Sequence, residues 1–307
     1  MEKIDRIGDN IDYIPAKTII SQYVKENSWF GVNYNMNIYK GCSHGCIYCD
    51  SRSECYGIEN FDRVRAKKNS TELIRKELKG KRRTGVVGTG AMSDPYNPFE
   101  KDCMLTRNAL EQINAFNFGL AIATKSNLIT RDIDILKKIK EHSPVLVKIT
   151  ITTFNDELCK KIEPNVCVSS ERFKAIEKLS YNGIFTGILL MPILPFINDN
   201  EENIINIVRK AYECGAKFIL AYGMGVTLRQ NQRDYFYDKL SEVFQSDDLV
   251  KKYNTVFGNR YECSSPNTKR LWTIFKGECE RLGILYKMQD VVSAYKNGYY
   301  DKQISWF

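Results

Sequence analysis

The sequence predicts an α/β fold in which a parallel sheet is covered by helices. Six strand-length segments, five of them short apolar runs and one alternating, are separated by stretches with a helical apolar period. The later strands begin about every 25 to 40 residues, a length that suits a strand plus a return helix. The chain has 307 residues, 43% hydrophobic and 27% charged. That mix is long enough and apolar enough for a large core, and it rules out a disordered, collagenous or solenoid-repeat chain.

The first strand, 32–39, places Val32, Tyr34, Met36 and Ile38 on one face. The others are 85–88, 120–124, 145–150, 186–191 and 218–221. Asn69 and Glu72 read as a capping box for a helix ending near Gly80. Residues 106–116 are helical by composition, and Thr130 can cap a helix whose Ile135, Leu136 and Ile139 share a face. Ser169 or Ser170 opens the next, with Phe173, Ile176 and Leu179 at helical spacing and Gly183 closing it. Asp199-Asn200 precedes a stripe of Ile204, Val208, Ala211 and Tyr212, followed by Gly215. Strand–helix alternation means a parallel sheet with right-handed connections. Six units fall short of the eight of a full barrel, so an incomplete barrel and a doubly wound sheet both fit the pattern. In either, the active site lies at the carboxyl ends of the strands. The chain divides into an N-terminal extension 1–31, a core 32–227 and a mostly helical region 228–307 expected to cap one end of the sheet.

The longest apolar run, 187–196, carries Pro192 and Pro195 and is too short to cross a bilayer. The start, Met1-Glu2-Lys3-Ile4-Asp5-Arg6, has no apolar segment of the signal-peptide kind. A cytoplasmic protein with no membrane partner is therefore expected. Lys and Arg number 45 against 37 Asp and Glu, a net charge of +8. Basic stretches at 63–68 and 79–83 permit a nucleic-acid substrate, although basic residues at helix ends also complement the helix dipole.

Ten cysteines are present, and three are close together: Cys42, Cys46 and Cys49. The other seven are scattered and read as small buried hydrophobes rather than a disulfide framework. The C-x3-C-x2-C spacing lets one loop turn three thiolates toward a common centre, with Gly41 and Gly45 permitting the tight backbone. Three such thiolates can hold three irons of a 4Fe–4S cluster and leave the fourth open. A Cys3His zinc site of Cys42, His44, Cys46 and Cys49 is the competing reading, and would make the protein a zinc-stabilised nucleic-acid-binding module without catalysis. No second C-x2-C knuckle accompanies it.

The C-x3-C-x-aromatic-C motif after the first strand resembles the radical S-adenosylmethionine superfamily, over roughly residues 33–227. The segments Thr89 to Glu100, Thr124-Lys125-Ser126 with Arg131-Asp132, and Pro192 to Asp199 resemble its spore photoproduct lyase-like branch. The resemblance implies a partial (βα)6 TIM-like barrel with a helical C-terminal extension. It implies that Cys42, Cys46 and Cys49 hold a 4Fe–4S cluster whose open iron binds S-adenosylmethionine. An electron from a donor such as flavodoxin or ferredoxin then yields a 5′-deoxyadenosyl radical that abstracts a hydrogen atom. It places Tyr48 near the adenine, Gly90, Ser93 and Asp94 near the methionine amino group, and Lys125 at the carboxylate or ribose. Thr150 and Thr152 become further polar contacts. Tyr96 and Glu100 are candidates for substrate handling, and Arg229 and Arg233 for an anionic substrate. Gly90-Ala91-Met92 lacks the hydrogen-donating cysteine of the true lyases, and Asp50 stands where they carry a tyrosine. The branch therefore does not fix the substrate, and a peptide-modifying radical enzyme is the alternative to one acting on nucleic acid or nucleotides.

Overall fold

A computed structural model describes residues 11–23 and 29–299. The reading of the first six residues lies outside the described part, as does anything beyond residue 299. The strands, in chain order, are β1 (Asp12–Ile14), β2 (Ile20–Gln22), β3 (Tyr34–Met36), β4 (Tyr39–Lys40), β5 (Arg65–Lys67), β6 (Val86–Thr89), β7 (Gly119–Thr124), β8 (Val145–Thr150), β9 (Phe185–Leu190), β10 (Phe218–Ala221), β11 (Gly225–Thr227) and β12 (Glu262–Ser264). The helices are α1 (Ser70–Lys79), α2 (Glu100–Cys103), α3 (Leu105–Ala115), α4 (Ile133–His142), α5 (Asp156–Ile162), α6 (Ser169–Tyr181), α7 (Glu201–Glu213), α8 (Gln230–Phe244), α9 (Asp248–Phe257), α10 (Thr268–Leu282) and α11 (Met288–Lys296).

The main sheet runs β10-β9-β8-β7-β6-β3-β2. From β3 to β10 every neighbouring pair is parallel and strand order follows chain order. A doubly wound sheet reverses its strand order at a switch point. This one does not, so the architecture is an open partial barrel. β2 adds antiparallel to the outer side of β3, an edge strand that its short, mixed Ile-Ser-Gln composition had concealed. The expected strand 32–39 divides between two sheets: β3 joins the main sheet, whereas β4 pairs with β5 in a separate sheet completed by β1.

Alternation along the strands separates two cores. Leu120, Ile122, Val147, Ile149, Ile188 and Ile219 face outward and pack with Leu110, Ile139, Ile176 and Ile207 from the helices. Val86, Ala121, Ala123, Leu146, Leu189 and Leu220 face inward, together with Phe30, Val291 and Tyr295. The last three come from a short 3-10 turn, Trp29–Gly31, and from α11, which together plug the amino-terminal end of the barrel. Tyr295 donates to the Phe30 carbonyl at 2.7 Å and Lys296 Nζ to that of Gly31 at 2.5 Å.

Helix positions follow the apolar periods, but some of their caps do not. Asn69 adopts a left-handed conformation and makes no capping hydrogen bond, so α1 starts without the expected box. A 3-10 turn, Asn127–Asp132, precedes α4 and is capped by Ser126 rather than Thr130. Asn200 caps α7 as its position suggests, with Oδ1 accepting from Asn203 N at 2.9 Å. On α7 Ile207 takes the buried place expected for Tyr212, which is exposed.

Candidate active site

The three clustered cysteines lie on the loop that leaves β4 at the carboxyl end of the barrel. Gly41 starts the loop at a φ of +83°, and a Cβ there would stand 2.6 Å from the carbonyl oxygens of both Phe61 and Arg63. Only glycine permits that approach, and Cys42 N donates to the same Phe61 carbonyl at 2.8 Å. The other side of the loop is held by residues 162–165. Ile47 N reaches Ile162 O at 3.0 Å, Asn165 N reaches His44 O at 3.1 Å, and Asn165 Nδ2 reaches Ser43 O at 3.0 Å. Cys46 is buried, Cys42 and Cys49 are half-buried, and all three thiols are free. Burial, and next the nearby Asp94 charge, pushes the Cys42 thiol up to about 11; burial pushes Cys46 up as well. A bound cation inverts this preference by stabilising thiolate.

The donor set fits an iron–sulfur cluster better than a single ion. A lone zinc needs four donors around one point. His44, the fourth ligand of the zinc reading, instead points Nδ1 at Asp94 Oδ2, 3.5 Å away. Burial, against the pull of Asp94, lowers its pKa and keeps the ring neutral.

Beneath the loop sits a buried ion pair that the sequence reading missed. Arg172 of α6 and Glu163 are both fully buried, with Nη2 2.5 Å from Oε2. Tyr48 donates its hydroxyl to the other oxygen of Glu163. Arg172 also donates to the carbonyls of Cys167 at 2.8 Å and Thr150 at 3.0 Å. The cysteine loop is thereby tied to the end of β8. Arg172 shares a helix face with Ile176 and Leu179, and a charge in the middle of an apolar stripe was the legible sign of it. Lys125 lies on the other side of Tyr48, its ammonium 5.7 Å from the ring centroid.

The loop after β6 is built differently from expectation. Gly90 has a φ of +93°, and a Cβ there would fall 2.0 Å from Ala123 O. Its small size serves the approach of β7. Ser93 Oγ is committed to Tyr39 O at 2.9 Å. Asp94 accepts from Thr124 Oγ1 at 2.6 Å, Lys125 N at 2.8 Å and Tyr96 N at 2.9 Å, so it fixes the chain around Lys125. Tyr96 and Glu100, expected to handle substrate, are instead buried inside a polar network. Tyr96 OH donates to Asp132 Oδ2 at 3.0 Å. Glu100 accepts from Tyr39 OH at 2.5 Å, Thr106 N at 2.9 Å and Arg131 Nη2 at 3.0 Å. These residues lock the loop after β6 to the loop after β7, and neither faces a surface that a substrate reaches.

Thr150 ends β8 on its inner side, and Thr152 follows two residues beyond it. The Thr152 hydroxyl is buried without a hydrogen-bond partner among the described residues, while its carbonyl accepts from Asn198 at 2.8 Å and Asn203 at 3.0 Å. Arg229 and Arg233 do not form a pair. Arg233 is buried and donates to the carbonyls of Leu228 at 3.0 Å and Arg260 at 2.5 Å. Arg229 stands at the rim, 3.1 Å from Asp50 and with its guanidinium 4.9 Å from the Tyr261 ring centroid. A groove of about 950 Å³ on the outer side of α6 and α7, lined by Phe154, Asn155, Lys174 and Asn206 among others, contains none of the clustered cysteines.

Comparison with known proteins places this geometry. An uncharacterized protein of Methanocaldococcus jannaschii is 38% identical over 175 residues, covering 56% of this chain and 64% of that protein. The chain thus aligns with somewhat under two thirds of that relative. A protein of Pseudomonas phage M6 named radical SAM Nalpha-GlyT isomerase is 24% identical over 162 residues, 52% of this chain and 33% of its own length. In fold, the chain is similar to spore photoproduct lyase complexed with dinucleoside spore photoproduct, with a TM-score of 0.61 at 15% identity over 82% of this chain and 74% of the lyase. It also resembles TsrM, a radical S-adenosylmethionine methyltransferase of Kitasatospora setae, with a TM-score of 0.53 at 11% identity over 86% of this chain and 56% of that one. The model of the Radical SAM superfamily matches residues 36–208, more than half of the chain and all three clustered cysteines. The protein therefore belongs to the radical SAM superfamily, a family that uses a 4Fe–4S cluster and S-adenosylmethionine.

Proposed function

We propose that the protein reductively cleaves S-adenosylmethionine and abstracts a hydrogen atom from a nucleic-acid or nucleotide substrate. The observation that carries the cleavage reading is the three-thiol loop that follows β4 at the carboxyl end of the barrel, clamped on both sides and able to offer three ligands to a cluster of four irons. When bound, the cluster and S-adenosylmethionine supply one-electron chemistry that ends in a 5′-deoxyadenosyl radical.

The chain's own residues orient and shield that chemistry. Cys42, Cys46 and Cys49 would hold the cluster. The Tyr48 ring, fixed through Glu163 and Arg172, gives the cofactor's base a rigid wall. Lys125, held by Asp94 through its backbone, offers a cation to the cofactor's carboxylate. The unpartnered hydroxyl of Thr152 and that of Thr150 remain for its polar groups. Gly90, Ser93 and Asp94 act by shaping the loop beside it. The plug of Phe30 and Tyr295 closes the far end against water.

The nucleic-acid part rests on the net charge of +8, on Arg229 at the rim, and on similarity to a lyase complexed with a dinucleoside and to an isomerase named for Nalpha-GlyT. A small electron-transfer protein such as flavodoxin or ferredoxin would supply the electron. Ten free cysteines suit the reducing cytoplasm, and no described helix is long and apolar enough to cross a membrane. The described residues from 228 to 299 act as an extension of the core, consistent with α10 packing on α7 and α11 entering the plug.

Anaerobically reconstituted protein with a strong reductant is expected to release 5′-deoxyadenosine slowly. Cys46→Ala should lose the brown colour, the bound iron and that release together. A fully iron-loaded protein that leaves S-adenosylmethionine intact would overturn the reading.

A further inference from the structure

The inner face of the barrel has a sealed level and an open one. Against the plug, Ala121, Leu146 and Phe218 have no exposure. Toward the carboxyl end, Ala123 keeps 9%, Leu189 7% and Leu220 6%, whereas outward-facing Ile122, Ile149, Ile188 and Ile219 keep none. The inner face therefore borders space that water enters from the carboxyl end, and the walls of that space are apolar.

Lys148 interrupts them. It lies on the inner face of the central strand β8, in register with Ala123 on one side and Gly187 on the other, and is 3% exposed. Its ammonium rests 4.5 Å from the centroid of the Phe30 ring. It has no hydrogen-bond or ion-pair partner among the described residues, and burial alone pushes its pKa down to about 7. An unpaired buried ammonium costs more than a single ring face returns. A methionine would fill the same volume without that cost. The position also separates it from the cofactor residues. Lys125 and Tyr48 stand at the rim, whereas Lys148 lies one inward position below Thr150, about 7 Å deeper.

We propose that Lys148 is an anion subsite at the floor of the lumen, which holds a phosphate or carboxylate oxygen of the substrate. This rests on the reading of the lumen as the chamber of the radical reaction. An entering anion supplies the counter-charge that the protein withholds, so the site selects substrates that carry one at the right depth.

Competitive acetylation of the anaerobic holoenzyme with acetic anhydride, followed by peptide mass spectrometry, tests it, with exposed Lys160 as the internal standard. Lys148 should be labelled, and several-fold less so in the presence of inorganic phosphate or a thymidine dinucleotide if the anion is a phosphate, or of acetate or glycylglycine if it is a carboxylate. Absence of labelling, protection by none of these, or protection by S-adenosylmethionine alone overturns the subsite. As a second measurement, Lys148→Met should raise the melting temperature, because it removes an unpaired charge. A fall would assign the lysine to holding Phe30 and overturn the proposal as well. Cleavage of S-adenosylmethionine by the same holoenzyme is assayed without added anion, so a preparation that cleaves but fails the labelling test sinks the subsite alone.

Discussion

Arg172 and Glu163 show how much of the site depends on one buried pair. Arg172→Met leaves the Glu163 carboxylate without its counter-charge, and a loss of about 3–5 kcal/mol in urea unfolding at neutral pH is expected. Burial already raises the Glu163 pKa above its ordinary 4.5, and removing the arginine raises it further. A carboxyl with a raised folded pKa opposes folding at high pH, and the penalty fades as the pH falls through that pKa toward 4.5. The gap between variant and parent should therefore narrow in acid, and a gap that widens would contradict this account. The cysteine triad was legible as a motif from spacing alone, because all three residues sit on one loop. Tyr96 and Glu100 were legible as a motif but not as to direction, since spacing does not say which way a loop side chain turns. Lys148 was visible as a charge within an apolar run, but only the register shows that it faces the lumen.

Between elements, the contact of α7 with α10 carries a pH-dependent latch. Glu278 of α10 accepts from Arg281 at 2.7 Å and from Arg209 of α7 at 3.1 Å. These hydrogen bonds, that from Arg281 first, hold its carboxyl at about 2, below the ordinary 4.5. A depressed carboxylate contributes stability above its unfolded pKa, and loses it as the pH falls from 4.5 toward 2. Both arginines are half-exposed, so the contribution is about 1 kcal/mol. Glu278→Gln should cost that much at pH near 7 and nothing in strong acid, as read from melting temperatures across the range. The barrel strands themselves were legible as apolar runs, and five of the six lie within a residue of expectation. The short strands β1, β2 and β5 were not, because three mixed residues carry no period. The capping box at Asn69 failed for a related reason: its residues match, but the backbone enters α1 in a left-handed conformation that aims the side chain elsewhere.

Across the whole molecule, strand order decides the architecture, and no local pattern encodes it. Partial barrel and doubly wound sheet share the same alternation; the unbroken succession from β3 to β10 separates them. The floor likewise depends on partners far apart in the chain. Tyr295→Phe removes a buried hydrogen bond to the Phe30 carbonyl. A loss of about 1–3 kcal/mol is expected, with faster amide exchange in 29–32 than in the strands above; unchanged exchange there would count against the floor as one unit.

That floor also has an order of assembly. Ribosomes deliver the chain from its amino end, so the cysteine loop and every barrel strand emerge before α11 does. Until that last helix is made, Phe30 has no lid beneath it and the nascent cylinder is open to solvent at its base. Within the barrel β3 to β10, the base opposite the cysteine loop is therefore sealed only after all of its strands have been made.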